Sequence, residues 1–145
     1  MEKRYDLGEM KLYLHEDGAN WIRAGLEFLL NCVFGLGPYH KSKALCQAVG
    51  GLEEKKAEEC RKTLYAMLKN GEKERFASLA ETLSEAQASK RAKKDLKYLR
   101  NQFDAIHIYF IDPETRNGGA TEPHISHVLS SRLSSRPKAW SEETL

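Results

Sequence analysis

Lys11-Leu12-Tyr13-Leu14-His15-Glu16 alternates polar and apolar side chains and stops at Asp17-Gly18. A period of two predicts a half-buried strand, and Asp-Gly predicts the turn that ends it. Between Ala19 and Leu30 the apolar residues Trp21, Ile22, Leu26, Leu29 and Leu30 recur at helical spacing. Cys32-Val33-Phe34-Gly35-Leu36 is then a short apolar run between Asn31 and Gly37-Pro38, the pattern of a second, buried strand. Strand, helix and strand in so few residues predict a right-handed βαβ unit with adjacent parallel strands. The fold class expected is therefore α/β.

The middle of the chain changes character. From Lys41 to about Gln102 β-branched residues are scarce, and Glu, Lys, Ala and Leu, which favour helix, dominate. Gly50-Gly51 and Asn70-Gly71 interrupt the run, so helices are expected near Lys41–Val49, Glu53–Lys69, Glu72–Ala88 and Ser89–Asn101. Their apolar faces are narrow (Leu64, Met67 and Leu68; Phe76, Leu79, Ala80 and Leu83; Leu96 and Leu99), as in a helical layer packed on one side. Ile106-His107-Ile108-Tyr109-Phe110-Ile111 has strand chemistry but also fits a buried helix end. Asp112-Pro113 and Asn117-Gly118-Gly119 mark a loop. Thr121 then reads as an N-cap, with Pro123 tolerated in the first turn. Ile125, Val128, Leu129 and Leu133 share one face of the helix that follows.

Composition sets limits on function without choosing one. A chain of 145 residues suits one domain or a piece of one, and 41% hydrophobic residues suffice for a modest core. The net charge of +2 says little about partners, but the basic residues cluster. Lys90-Arg91-Ala92-Lys93-Lys94 with Lys97 and Arg100 has the pattern of a solvated helix face. Arg132, Arg136 and Lys138 lie nearer the acidic positions described next and are the better candidates for phosphate contacts. Cys32, Cys46 and Cys60 are odd in number and lack a C-x-x-C spacing, which favours reduced thiols over a disulfide or zinc framework. The sequence has no signal-peptide pattern, and its longest apolar run is too short to cross a membrane, so a cytoplasmic location is expected.

Two acidic positions far apart in sequence carry the chemistry. Asp17 is expected at the carboxyl end of a strand, where α/β units bind ligands. Glu122 is expected in the first turn of a helix, where the dipole favours a carboxylate. Taken singly, each is better explained by a structural role such as capping than by catalysis. Taken together they supply oxygen ligands of the kind Mg²⁺ prefers. His124 and His127 are three apart on one helix, but no third and fourth ligand have zinc spacing. His40, after the second strand, either supports the same crevice or opens a helix. The sequence has no nucleophile elbow, P-loop or dinucleotide fingerprint.

Glu122-Pro123-His124-Ile125-Ser126-His127-Val128-Leu129-Ser130, with Arg132-Leu133-Ser134-Ser135-Arg136-Pro137 and Trp140-Ser141, closely resembles the C-terminal signature of the ISLre-type bacterial insertion-sequence transposases. Tyr13-Leu14-His15-Glu16-Asp17-Gly18-Ala19-Asn20-Trp21-Ile22 is similar to the same family's second catalytic block, and Val33-Phe34-Gly35-Leu36-Gly37-Pro38-Tyr39-His40 to its next strand and histidine. Asn101-Gln102-Phe103-Asp104-Ala105-Ile106 also fits, so the resemblance runs through nearly the whole chain in order. It implies a DDE transposase related to the Mutator type, with a ribonuclease-H-like core. Asp17 matches the second catalytic and metal-binding carboxylate and Glu122 the third, both holding Mg²⁺. His40 matches the histidine after the following strand, and His124 and His127 flank the final glutamate as supporting groups. Arg132, Arg136 and Lys138 would hold DNA phosphates.

On this resemblance residues 1–40 correspond to a partial ribonuclease-H-like core (strand–helix–strand), 41–104 to a large all-helical insertion, and 105–145 to the final catalytic-type helix and a basic tail. Two departures accompany it. Gly37 stands where the family usually has an aspartate, and only Met1 to Glu16 precede Asp17, too few for the strands and helix that carry the first catalytic aspartate. The expectation is the C-terminal part of a transposase catalytic domain, inactive alone, whose ancestral role is Mg²⁺-dependent DNA cleavage and strand transfer. Its expected partners are transposon-end DNA and a second copy or full-length transposase, with no membrane. The rival readings are a non-catalytic DNA-binding or regulatory fragment and an orphan helical domain.

Overall fold

The computed structural model describes residues 11–16, 28 and 31–117. Among them the chain is mixed α/β and mostly helical, with five α-helices and a two-stranded parallel sheet. The strands are β1 (Leu12–Glu16) and β2 (Cys32–Leu36), paired from Leu12 opposite Cys32 to Glu16 opposite Leu36. Both lie where the alternating and apolar runs predict them, and they are adjacent and parallel. Asn31 enters β2 with φ of 57°. Asparagine tolerates this left-handed region better than most residues. Its carbonyl accepts the Leu12 N–H at 3.0 Å, which starts the ladder. The helix expected over Ala19–Leu30 lies outside the described residues.

The helices follow as α1 (Pro38–Ala48), α2 (Glu54–Asn70), α3 (Lys73–Ala86), α4 (Lys90–Asn101) and α5 (Phe103–Ile111), with a 3₁₀ turn over Pro113–Asn117. α1 starts three residues before the expected Lys41 because Pro38 opens it. Proline suits a first helical position, where its missing N–H is not needed. α2 ends at Gly71, whose φ of 74° forms a left-handed cap; the Glu72 N–H then reaches back to the Met67 carbonyl at 3.0 Å. α4 begins at Ser89, whose hydroxyl accepts the Ala92 N–H at 3.3 Å.

The ambiguous segment is helical. α5 contains three isoleucines, yet Phe103, Ala105, Ile106 and Tyr109 are all buried, and burial overrides the weak strand preference. A single residue, Gln102, separates it from α4.

One core joins these elements. It contains Leu36 of β2, Ala44, Leu45 and Ala48 of α1, Leu64 and Leu68 of α2, Phe76, Ala80 and Leu83 of α3, Leu96 and Leu99 of α4, and Phe103 and Ile106 of α5. The Phe76 and Phe103 rings pack edge to face at 5.4 Å. α1 packs on α4, α4 on α3, and α3 on α2, while α5 packs on β2 as well as on α2 and α4. α5 is therefore the element that fixes the strand pair against the helical layer. The segment boundary expected at residue 104 falls inside it. None of the described helices is long and apolar enough to cross a membrane.

Candidate functional site

β1 and β2 are parallel, so their carboxyl ends lie at the same edge of the sheet. Asp17 is the next residue in the chain after β1, and Gly37-Pro38-Tyr39-His40 leads from β2 into α1. Of the sequence-derived candidates, His40 alone lies among the described residues. It is half-buried in the first turn of α1, with its ring edge-on to Tyr39 at 5.3 Å. Asp17, Glu122, His124, His127, Arg132, Arg136 and Lys138 lie outside the described residues, and so does the expectation that Asp17 and Glu122 face one crevice. Gly37 serves as the N-cap of α1, its carbonyl accepting the Lys41 N–H at 3.2 Å. Among the described residues no three His, Cys, Asp or Glu side chains gather in a way that would hold a metal ion. The three cysteines are free thiols, with Cys46 exposed and Cys32 and Cys60 half-buried.

Next to this edge the structure assembles groups that sequence reasoning did not single out. His15 reaches from β1 to α5, its Nδ1 hydrogen-bonded to the Tyr109 hydroxyl, with the ring centroids 5.5 Å apart. Tyr109 in turn lies against Gly35 of β2: a Cβ there would come within 2.9 Å of its ring. Burial lowers the His15 pKa from its ordinary value and raises that of Tyr109, so both are held neutral. His15 Nε2 is shielded from solvent and has no hydrogen-bond partner among the described residues. The available signal was His15 standing two residues before Asp17, but its partner is 94 positions away.

The amino end of β1 is tied down by Asp112, just after α5. Its Oδ2 accepts from Lys11 Nζ at 2.6 Å and from the Tyr13 hydroxyl at 2.9 Å, and its Oδ1 accepts the Glu114 N–H at 3.1 Å. Lys11 hydrogen-bonded to it holds the Asp112 carboxyl below the usual carboxylate range. Tyr109 near the carboxyl half of β1 and Asp112 at its amino end mean that α5 runs antiparallel to β1. A third group is Lys41, whose ammonium lies 5.3 Å from the rings of both Tyr65 and Phe110. Burial lowers its pKa from the ordinary value.

The chain that carries this strand pair, α5 and the helical layer matches a known sequence family. The sequence model of UPF0236, described as an uncharacterised protein family, matches residues 1–145, and the chain belongs to that family. Curated relatives come from Caldanaerobacter subterraneus subsp. tengcongensis. One UPF0236 protein is 35% identical over 139 residues, covering 93% of this chain and 28% of its own length. A second is 36% identical over 135 residues, covering 93% and 29%. A third, 35% identical over 135 residues and covering 93% and 28%, bears a name that joins eleven locus designations. The chain thus spans less than a third of the length of these relatives. No solved structure matches it.

Proposed function

We propose that this chain is part of a DDE-type DNA transposase with a ribonuclease-H-like core, and that the whole protein cleaves and joins DNA strands with Mg²⁺. The observation that carries the reading is the parallel β1–β2 pair, with Asp17 following directly on the carboxyl end of β1. That edge is where open α/β sheets place ligands and catalytic carboxylates. A relative whose name joins eleven locus designations gives further support, because copies at many loci are what an element that moves itself leaves behind.

Asp17 and Glu122 are the residues that would hold Mg²⁺, since both offer the oxygen ligands it prefers. Bound there, Mg²⁺ would supply stabilisation of the charge that develops on the attacking and leaving oxygens of a phosphodiester. Within this chain, His15 bonded to Tyr109, whose ring lies against Gly35, keeps the end of β1 in fixed relation to β2. His40, in the first turn of α1, is the candidate for supporting the same edge. Arg132, Arg136 and Lys138 are the candidates for holding the DNA backbone.

The test is a strand-transfer assay using a C. subterraneus relative at full length and linear DNA carrying the sequences that flank one of its loci. Mg²⁺-dependent cleavage and joining is expected. Alanine at the positions aligned with Asp17 and Glu122 should each lower the rate by on the order of a hundred- to a thousandfold. Joining that survives both alanines, or flanking DNA left intact by the unaltered protein, overturns the reading.

A further inference from the structure

α4 concentrates the positive charge of the chain. Its twelve residues hold four lysines, two arginines and one acid, Asp95. In a chain of net charge +2 this leaves the other residues net acidic. Arg91 is spoken for: it pairs with Asp95 at 3.0 Å and donates to Gln47 at 2.8 Å. Lys90, Lys93, Lys94, Lys97 and Arg100 are exposed, and none forms an ion pair among the described residues. At 100° per residue these five fall within one third of the helix circumference, opposite the buried Ala92, Leu96 and Leu99. They extend about 15 Å along the axis.

A solvated helix face does not require the second feature. Between α3 and α4 runs an open groove of 280 Å³, with Ala80 and Leu96 in its apolar lining. Lys93, Lys97 and Arg100 border it from α4, and Ser84 and Glu81 from α3. Three unpaired cations on successive turns thus converge on a concave surface beside one hydroxyl and one carboxylate. Their side chains have little opposite charge nearby to satisfy them, and an acidic remainder elsewhere in the chain makes the patch a local focus of positive potential.

We propose that the α3–α4 groove and the exposed row of α4 hold the phosphate backbone of duplex DNA, through residues other than Asp17 and Glu122. The choice of DNA as occupant rests on the transposase reading; the charge and the groove do not. A row about 15 Å long matches about four phosphates of one strand at 3.4 Å of axial rise each. Such contacts read no base sequence and set position and register. The surface therefore positions flanking or target DNA, whatever its sequence.

The experiment measures binding of a fluorescent mixed-sequence duplex to the full chain as salt is varied. It compares the unaltered chain with the triple variant Lys93→Gln, Lys97→Gln, Arg100→Gln. The control triple variant Lys55→Gln, Lys56→Gln, Lys69→Gln removes the same charge from exposed positions on α2. The α4 variant should bind at least about tenfold more weakly at low salt, with a slope of log affinity against log salt shallower by about three, one per lost phosphate contact. The α2 variant should match the unaltered chain in both. Equal losses in the two variants, no loss in either, or no duplex binding by the unaltered chain overturns the proposal. Circular dichroism confirms that both variants fold. Strand transfer is scored separately: if it fails in the full-length relative while duplex binding still depends on α4, the catalytic reading alone is lost.

Discussion

His15 shows how much a single side chain contributes here. It is held neutral against Tyr109, and burial lowers its pKa below the ordinary 6.5. The unfolded chain therefore binds a proton near pH 6.5 that the folded chain refuses until lower pH. Stability from this group is full above pH 6.5 and declines as pH falls through 6.5 toward the depressed folded value. Melting temperature should rise with pH up to about 6.5 and level off above it, and His15→Gln should flatten that rise. Scanning calorimetry from pH 5 to 8 checks this; an unchanged slope in the variant would rule out His15 as its source. Asp112 acts in a different window. Its carboxyl is held low by Lys11, so its contribution is present above the ordinary 3.8 and is lost only as pH falls below that.

At the scale of elements, the joins between helices depend on groups that local sequence rules treat as ordinary. Gln87, just past α3, is 2% exposed. Its Nε2 donates to the Ala48 carbonyl at 3.0 Å and the Leu83 carbonyl at 3.1 Å, and its Oε1 accepts the Gly51 N–H at 3.1 Å. One amide thus closes the carboxyl ends of α1 and α3 and the turn between α1 and α2. Gly51 is required by that closeness, since a Cβ would meet Gln87 Oε1 at 2.8 Å. Gln87→Leu keeps the volume and orphans three backbone groups. It should cost about 3 kcal/mol in urea unfolding, since each buried unpaired group costs about 1–3 kcal/mol. A loss below about 0.5 kcal/mol would mean that water or a shifted backbone replaces the amide. The same reasoning applies to His107, whose Nδ1 donates to the Leu68 carbonyl at 2.9 Å near the end of α2. Its ring lies so close to Gly71 that a Cβ there would approach to 2.8 Å.

For the molecule as a whole, the burial of apolar side chains is unequal. Helices α1–α5 supply nearly all of the core, whereas Leu12, Tyr13, Leu14 and His15 of β1 are half-buried. Hydrogen bonds between the helices join residues 31 to 44 positions apart, as Lys73 to Asp104 and Gln47 to Arg91, while β1 is held by Tyr109 and Asp112, 94 to 101 positions away. Local unfolding should therefore begin with β1. Native-state hydrogen exchange should find the amides of α2 and α4 more protected than those of β1, with a far-UV spectrum dominated by helix. Equal protection of β1 and α4 would show instead that the sheet and the helical layer open as one unit.

Both strands, their parallel pairing and four of the helices were legible in the chain itself, because alternation, 3.6-residue periodicity and Gly or Ser at helix ends are local signals. Motifs spread along the chain in order carried a family resemblance, of which membership of the uncharacterised family UPF0236 is what the comparison shows. α5 was not decided locally. Ile106, Ile108 and Ile111 favour a strand, and helix wins through burial of Phe103, Ile106 and Tyr109 between β2 and the helical layer. Nor could the sequence pair His15 with Tyr109, Asp112 with Lys11 and Tyr13, or Lys41 with Tyr65 and Phe110. Those contacts join residues far apart in the chain, and only packing brings them within reach. The same holds for Lys93, Lys97 and Arg100: the helix period places them on one face, but the groove they border exists only because α3 packs against α4.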